Sequence, residues 1–424
     1  MTLTAGQEKA FREITAKQKP GAEHLLLGYA GTGKTYLMNA IAGYFMAQGR
    51  SVAVTAPTHK ATAVLGQKVN HDGVMCCTIH SLLSLIPKED ETGTHLERRK
   101  MAQDVTVDVV IVDECSMLSR ELMAWIRRLL RKSFVIFVGD DAQLPPVGED
   151  ASGAFCCKSV SILDEIVRQK EGNPILDAAL ACRTAQKDKK SDWNYLRPAS
   201  IEKTGIFRAT DTDKWMHKAF TSSEFEKDPN SFRYLAWTNS RVDAVNRKVQ
   251  RWLFGDISTP FAVGELVISK KRFVRNGIEV QNSEEMKVTD IKASTFTTRW
   301  KKYGAAHDME IPIWDVSTDK GVAIRLVRGM KDYHAALAYV KKNCYDWDRP
   351  DGDGPYGHVS SFRDSFGKLA SNYAMTVHTS QGSTFRCVFL DAQDILKRQR
   401  DNLLESQQLM YVALTRPTDM VFLV

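Results

Sequence analysis

Gly28-Tyr29-Ala30-Gly31-Thr32-Gly33-Lys34-Thr35 decides how this chain is read. It follows a short apolar run, His24 to Leu27, and opens a stretch of helical periodicity, Lys34 to Gln48. G-x-x-x-x-G-K-[ST] between a strand and a helix is the arrangement a phosphate cradle requires. Gly28, Gly31 and Gly33, with Thr32 between them, let backbone N–H groups close around phosphate oxygens, and the helix N-terminus adds favourable partial charge. In such a loop Lys34 reaches the β- and γ-phosphates and the Thr35 hydroxyl ligates Mg²⁺. A nucleoside triphosphate with its Mg²⁺ is the expected ligand.

Further along, Val109-Val110-Ile111-Val112 reads as a buried strand ending in Asp113-Glu114. An acid at that position holds Mg²⁺, and a neighbouring carboxylate orients an attacking water, so Asp113 becomes a metal ligand and Glu114 argues for hydrolysis. Phe134 to Val138 is another buried strand, followed by Gly139-Asp140-Asp141-Ala142-Gln143-Leu144-Pro145-Pro146. Strand ends of this kind face the crevice where α/β sheets bind ligands, which places Gln143 near the γ-phosphate.

The strands His24–Leu27, Ser51–Thr55, Val107–Val112 and Phe134–Val138 alternate with helical segments, among them Ser119–Lys132, as in a parallel sheet covered by helices. Pro87–Asp104 is polar and reads as a small hairpin leaving that sheet. Residues 183–200 are lysine-rich and read as a surface linker. Tyr234–Thr238 and a helix from Ser240 to Leu253 begin a second α/β region. From about 256 to 328 the texture turns to short strands, with Asn276-Gly277 as a hairpin turn. Residues 346–358 read as a loop, after which α/β texture returns.

Together these segments resemble superfamily 1 helicases, in which G-D-x-x-Q-L-P-P is a specific signature. Leu3-Thr4-Ala5-Gly6-Gln7 looks like the segment whose glutamine reads adenine, although Thr4 and Gln7 also make a helix capping box. Ala56-Pro57-Thr58-His59-Lys60-Ala61 and Thr78-Ile79-His80-Ser81 match the family's DNA-contacting loops, implying Pro57, Thr58, His59, Thr78 and His80 as contacts. Arg168 matches an arginine-finger position. Val377-His378-Thr379-Ser380-Gln381-Gly382-Ser383-Thr384 resembles the motif joining DNA to nucleotide, and Tyr411-Val412-Ala413-Leu414-Thr415-Arg416 the last motif, whose arginine completes the ATP site. The hairpin segment, the β-rich insertion and Ser360-Ser361-Phe362 are similar to the RecD-like branch.

The resemblance implies an α/β fold: two RecA-like parallel-sheet core domains, a small hairpin insertion in the first and a β-barrel-like insertion in the second. The expected divisions are 1–174 with a hairpin at 86–106, 175–254 with 370–424, and 255–369. It implies an ATP-driven motor moving 5′ to 3′ on single-stranded DNA and opening duplex or fork DNA. A single-strand-binding protein or replisome component is the implied protein partner. A motor subunit of a recombination nuclease, a single-strand translocase that unwinds little, and an RNA substrate stay open as alternatives. His59, His80, His378 and Trp237 suit base stacking at strand ends, with Thr379 and Asn239 beside them. Core packing explains Trp237 equally well. Lys270 to Arg275 suits phosphate contacts or a solvated strand edge. Within the hairpin, His95 and Leu96 are the candidates for separating strands.

The 424 residues carry 58 Lys plus Arg against 51 Asp plus Glu, a net +7 that permits a polyanionic partner without demanding one. No run approaches the ~18 apolar residues that span a bilayer, and the N-terminus lacks a signal-peptide pattern. The eight cysteines include no C-x-x-C pair, so reduced thiols in a cytoplasmic setting are expected. The histidines show no zinc spacing. A GTPase would need an N-K-x-D segment, which does not occur. No dimerising coiled coil is visible, leaving a monomer as the expectation.

Overall fold

The computed structural model describes residues 3–69, 71–90, 93–165, 173–275, 278–302, 305–343, 359 and 361–424. Arg168, the Asn276-Gly277 turn, the 346–358 loop, Cys344 and Ser360 lie outside the described residues. The chain divides into two compact units, one of residues Met1–Lys88, Leu96–Val245 and Ala374–Val424, the other of Glu89–His95 and Asn246–Tyr373.

The first unit holds two six-stranded sheets. One contains β1 (Glu23–Gly28), β2 (Val52–Ala56), β3 (Met75–Thr78), β6 (Val109–Val112), β7 (Phe134–Gly139) and β8 (Val160–Leu163). Its order is β3-β2-β6-β7-β1-β8, and every pairing is parallel. Successive side chains point to opposite faces. Leu26, Ile111 and Ile136 therefore pack beneath helices Ala5–Ala16, Lys34–Ala47 and His59–Lys68, while Leu25, Val110 and Phe137 pack against helix Arg120–Leu129. The two strands that sequence reading missed, β3 and β8, are the edges. Each is four residues long with alternating or partial burial, so neither shows the continuous apolar run of a central strand. A two-stranded hairpin, β4 (Leu85–Asp90) and β5 (Gly93–Arg98), leaves this sheet after β3.

The other sheet of this unit contains β9 (Ala199–Ile201), β10 (Thr204–Arg208), β11 (Phe232–Ala236), β19 (Ala374–Thr376), β20 (Phe385–Leu390) and β21 (Pro417–Leu423). Its order is β19-β11-β20-β21-β10-β9, parallel except for β9 against β10. The two RecA-like sheets implied by the resemblance are thus present. The expected linker at 183–200 is corrected in its first residues. Helix Pro174–Lys187 runs through Arg183, which is 6% exposed, and Cys182 beneath it is fully buried. Residues 187–192 beyond the helix's buried face are exposed, and it was the density of lysines there that suggested a linker.

The second unit contains the five-stranded antiparallel sheet β17-β16-β15-β12-β18 and the ribbon β13-β14. The ranges are β12 Leu266–Ser269, β13 Phe273–Arg275, β14 Ile278–Val280, β15 Glu285–Lys302, β16 Ala305–Thr318, β17 Ala323–Val327 and β18 Leu369–Ser371. Val267, Phe273, Val280, Met286, Val316 and Ile324, from six of these strands, share one core, which is the packing a barrel-like insertion needs. The short-strand texture expected here instead gives, in part, long strands. β15 is one strand of 18 residues whose pairing shifts register between Val288 and Asp290.

Candidate active site

Because neighbouring strands of the first sheet are parallel, the loops after β1, β2, β3, β6 and β7 all emerge at one edge. The Gly28–Thr35 loop follows β1 and ends in helix Lys34–Ala47. Gly33 sits at φ 77°, and a Cβ there would come within 2.5 Å of the Gln7 amide nitrogen, so only glycine fits. The Gln7 Nε2 donates to the Thr32 carbonyl at 3.2 Å, and its Oε1 completes the capping box with Thr4. The capping-box reading of this glutamine is thus present, with the side chain committed to the helix cap and braced against the loop. Lys34 Nζ donates to the Gly28 and Tyr29 carbonyls at 2.8 and 3.0 Å, and Thr32 Oγ1 donates to the Tyr29 carbonyl at 2.9 Å.

After β6, Asp113 accepts the Glu114 backbone N–H at 2.9 Å. Removal from water, and then the charge of Glu114, raise the Asp113 carboxyl well above the usual carboxylate range; Lys34 and Lys68 act in the opposite sense. Glu114 occupies the left-handed region at φ 51°, a strained position for a residue with a side chain. Gly139 closes over this turn: a Cβ there would lie 2.6 Å from the Cys115 sulfur. The need for a residue without a Cβ before Asp140 is thus a packing matter.

A cavity of about 750 Å³ brings together Lys34, Thr35, Asp113, Glu114 and Gln143 from the first sheet with Ser383 and Arg416 from the second. Arg416 is buried. Its guanidinium donates to the carbonyls of Val412 and Ser383, both at 3.1 Å, and to the Thr415 hydroxyl at 2.9 Å. Burial lowers its pKa, against the opposing charge of Glu114. Gln143 Oε1, Gln381 Nε2 and Ser383 Oγ are buried polar atoms with no hydrogen-bond partner, each of which carries a desolvation cost until something is bound to it. Gln381 and Ser383 were not singled out as site residues from the sequence, although both lie inside the quoted 377–384 motif.

Sequence reading also missed Asp140 as a junction. This buried carboxylate accepts the Ala142 N–H at 3.1 Å, the Tyr411 hydroxyl at 2.5 Å and the Arg183 guanidinium, which also pairs with Asp141. Tyr411 in turn accepts the Ala30 N–H at 3.3 Å. No local pattern signals partners so distant in the chain.

Of the expected nucleic-acid contacts, Pro57, Thr58, His59, Thr78 and His80 lie together. Thr58 caps helix His59–Lys68 by accepting the Ala61 N–H at 3.2 Å, and Thr78 caps Ile79–Leu82 by accepting the Ser81 N–H at 3.1 Å. Burial lowers the His80 pKa, as does the neighbouring His59, and a bond to the Pro57 backbone opposes them. Thr376 caps the His378-Thr379 turn in the same way, and burial lowers His378. Trp237 is partly buried against the second sheet's core, with the Arg398 guanidinium 5.7 Å from its ring centre; Asn239 is exposed. Packing thus accounts for one face of Trp237. Leu96 lies within β5 and packs against the first sheet's core, its N–H donating to Glu121 at 2.7 Å. His95 precedes it in the same strand.

Among the described residues, no group of three or more His, Cys, Asp and Glu is arranged to hold a metal by itself, and no helix is long and apolar enough to cross a membrane.

Residues 2–200 match an AAA domain model and residues 371–424 match a UvrD-like helicase C-terminal domain model. The chain is 25% identical to the ATP-dependent DNA helicase dda of Enterobacteria phage T4, over 100% of this chain and 99% of that protein. It is 33% identical to the ATP-dependent RecD2 DNA helicase of Deinococcus radiodurans, over 37% of this chain and 21% of that protein. Among solved structures, Bacteroides Pif1 bound to single-stranded DNA matches with a TM-score of 0.53 at 18% identity, covering 100% of this chain and 92% of that one. A Pif1 helicase from a structure of unwinding at forked duplex DNA gives 0.55 at 17%, with the same coverages. These two likenesses concern the fold.

Proposed function

Because the chain belongs to the Pif1- and RecD-like family of superfamily 1 helicases, we propose that it is an ATP-dependent DNA helicase that moves 5′ to 3′ on single-stranded DNA and separates duplex ahead of it. The observation that carries the reading is the cavity, in which Lys34, Thr35, Asp113, Glu114 and Gln143 meet Arg416 of the other sheet.

ATP would seat its phosphates on the Gly28–Thr35 loop, where Lys34 exchanges its two carbonyl contacts for the β- and γ-oxygens. The donor set fits Mg²⁺. The Thr35 hydroxyl and Asp113 carboxylate are hard oxygen ligands on the same cavity, and Asp113 is a desolvated acid beside a second acid, a placement that a divalent cation relieves. When bound, the ion supplies positive charge against the triphosphate. Glu114 orients the attacking water, Gln143 offers its unpartnered Oε1 to accept a hydrogen bond from that water, and Arg416 stabilises the charge that develops during transfer. Arg168 is assigned a second finger by resemblance alone. Gln7 would contact adenine by the same resemblance.

Arg416 joins the site from the second sheet, so hydrolysis depends on how the two sheets approach. Closure on ATP and opening on release would alternate the grip of two sets of strand-end residues. Pro57, Thr58, His59, Thr78 and His80 form one set, and Trp237, Asn239, His378 and Thr379 the other. The Thr58 hydroxyl lies 3.6 Å from where a side chain at Gly382 would begin, so the two sets border each other.

Strand displacement on matched duplexes with a 5′ or a 3′ single-stranded tail, with ATP and Mg²⁺, tests the reading. Opening from the 5′ tail alone supports motor, substrate and direction. Opening from the 3′ tail alone keeps the motor and overturns the direction. No opening, with ATPase still stimulated by single-stranded DNA, favours a translocase.

A further inference from the structure

We propose that Tyr411, Asp140 and Arg183 form a latch that sets the position of Arg416 relative to the phosphate loop, making Tyr411 and Arg183 positioning residues for ATP hydrolysis. The proposal rests on the reading that Arg416 serves the γ-phosphate. Asp140 is 1% exposed, and a carboxylate withdrawn from water that far is tolerated only with several partners. Its partners come from separate parts of the chain: Ala142 from its own turn, Arg183 from helix Pro174–Lys187, and Tyr411 from helix Leu403–Leu414.

The Tyr411 hydroxyl does two things at once. It donates to Asp140 and accepts the N–H of Ala30, an amide inside the phosphate loop. Arg183 reinforces the same junction, with its guanidinium 4.1 Å from the centre of the Tyr29 ring. Consecutive loop residues, Tyr29 and Ala30, therefore each touch one arm of the latch. Burial and the charge of Asp140 raise the Tyr411 pKa, so its hydroxyl keeps the proton that the bond to Asp140 needs.

Helix Leu403–Leu414 transmits the setting. Ser406 through Leu414 are all buried, which leaves the helix little freedom to tilt independently of its surroundings. Arg416 follows the capping Thr415 just past this helix, and its Nε donates to the Val412 carbonyl beside Tyr411 at 3.1 Å, so a shift at the Tyr411 hydroxyl is carried to the guanidinium. Asp140 also accepts the Gln143 N–H through its backbone at 3.2 Å, linking the latch to the other γ-phosphate residue. An apolar cluster would hold the sheets together without choosing one geometry. Directional hydrogen bonds to a buried carboxylate favour one.

Tyr411→Phe keeps the ring in the core and removes only the two bonds. We expect kcat of DNA-stimulated ATP hydrolysis to fall ~10-fold while KM for ATP stays within ~3-fold, because the hydroxyl acts through Arg416 and not on bound substrate. The melting temperature should move by only a few degrees. In an Arg416→Ala background, Tyr411→Phe should cause no further loss of the residual rate, and Arg183→Lys should recover part of the kcat lost in Arg183→Ala. Wild-type kcat in Tyr411→Phe, or a loss that multiplies with that of Arg416→Ala, would overturn the latch alone. Wild-type kcat in Arg416→Ala would instead overturn the role of Arg416, and the latch with it.

Discussion

The side-chain N–H of Gln7 meets the carbonyl of Thr32 at 3.2 Å, so the first helix of the chain props up the phosphate loop. The other end of the same amide takes the Thr4 N–H at 3.1 Å. Gln7→Ala should therefore destabilise the fold by about 1–2 kcal/mol, from one cap and one buried hydrogen bond, and should raise KM for ATP. Calorimetry and steady-state ATPase assays report the two effects separately. An unchanged melting temperature would mean that the loop holds its shape without the brace.

Lys34→Ala should reduce ATP turnover by ~100-fold or more, since its ammonium is the cation of the loop. Single-strand binding should stay measurable by fluorescence anisotropy, because the strand-end residues after β2 and β3 are separate from the loop. Turnover near the wild-type level would remove the loop from the active site.

Glu114 combines a catalytic assignment with a left-handed backbone at φ 51°. Glycine has no penalty there, whereas an L-residue has one of about 1 kcal/mol. Glu114→Gly should be inactive in hydrolysis yet at least as stable as wild type, even after the added freedom of the unfolded chain. Glu114→Gln should be equally inactive without the gain. A clearly less stable glycine variant would show that the carboxylate contributes packing and that the backbone strain is small.

The hairpin divides its two candidates. Leu96→Ala should cost about 1–2 kcal/mol in stability, because its side chain packs against the first sheet's core. His95→Ala should leave the melting temperature and DNA-stimulated ATPase near wild type while slowing strand displacement. Equal loss of ATPase and displacement in His95→Ala would assign the hairpin a folding role.

His24 supplies a pH dependence. It is fully buried between Ser161, 3.0 Å from Nε2, and Ser159, 2.8 Å from Nδ1, and burial takes its pKa from the ordinary 6.5 down to about 4. Lys17 adds to this shift, and Glu13 opposes it. Between those two pH values the unfolded chain binds the proton and the folded one does not. Stability is therefore complete above pH 6.5 and falls as the pH drops toward 4, by at most about 3 kcal/mol. Denaturant titrations at pH 7, 5.5 and 4.5 should show the slope, and His24→Gln should flatten it. The same slope in the variant would assign the acid sensitivity to other groups.

How much could be read in advance follows the range of the interactions. The phosphate loop, the Asp113-Glu114 strand end and the Thr4–Gln7 cap were legible in the sequence because each is written in residues a few positions apart, where the geometry of a turn or a helix start dictates the chemistry. Central strands showed as apolar runs for the same reason. Edge strands β3 and β8 did not, since half of their residues face outward. Lysine density hid helix Pro174–Lys187 past its midpoint, and with it the burial of Arg183.

The sequence alone determined the nucleotide chemistry and the α/β class. Tertiary structure decided which distant groups complete that chemistry. Tyr411 lies 271 residues from Asp140 and 381 from Ala30, and Arg183 lies 43 from Asp140. A buried carboxylate needs partners from somewhere, but nothing local states which side chain will reach it. Only the packing of the loop after β7 against the helices of the second sheet, driven by burial of apolar faces that carry no directional information, brings those donors to Asp140.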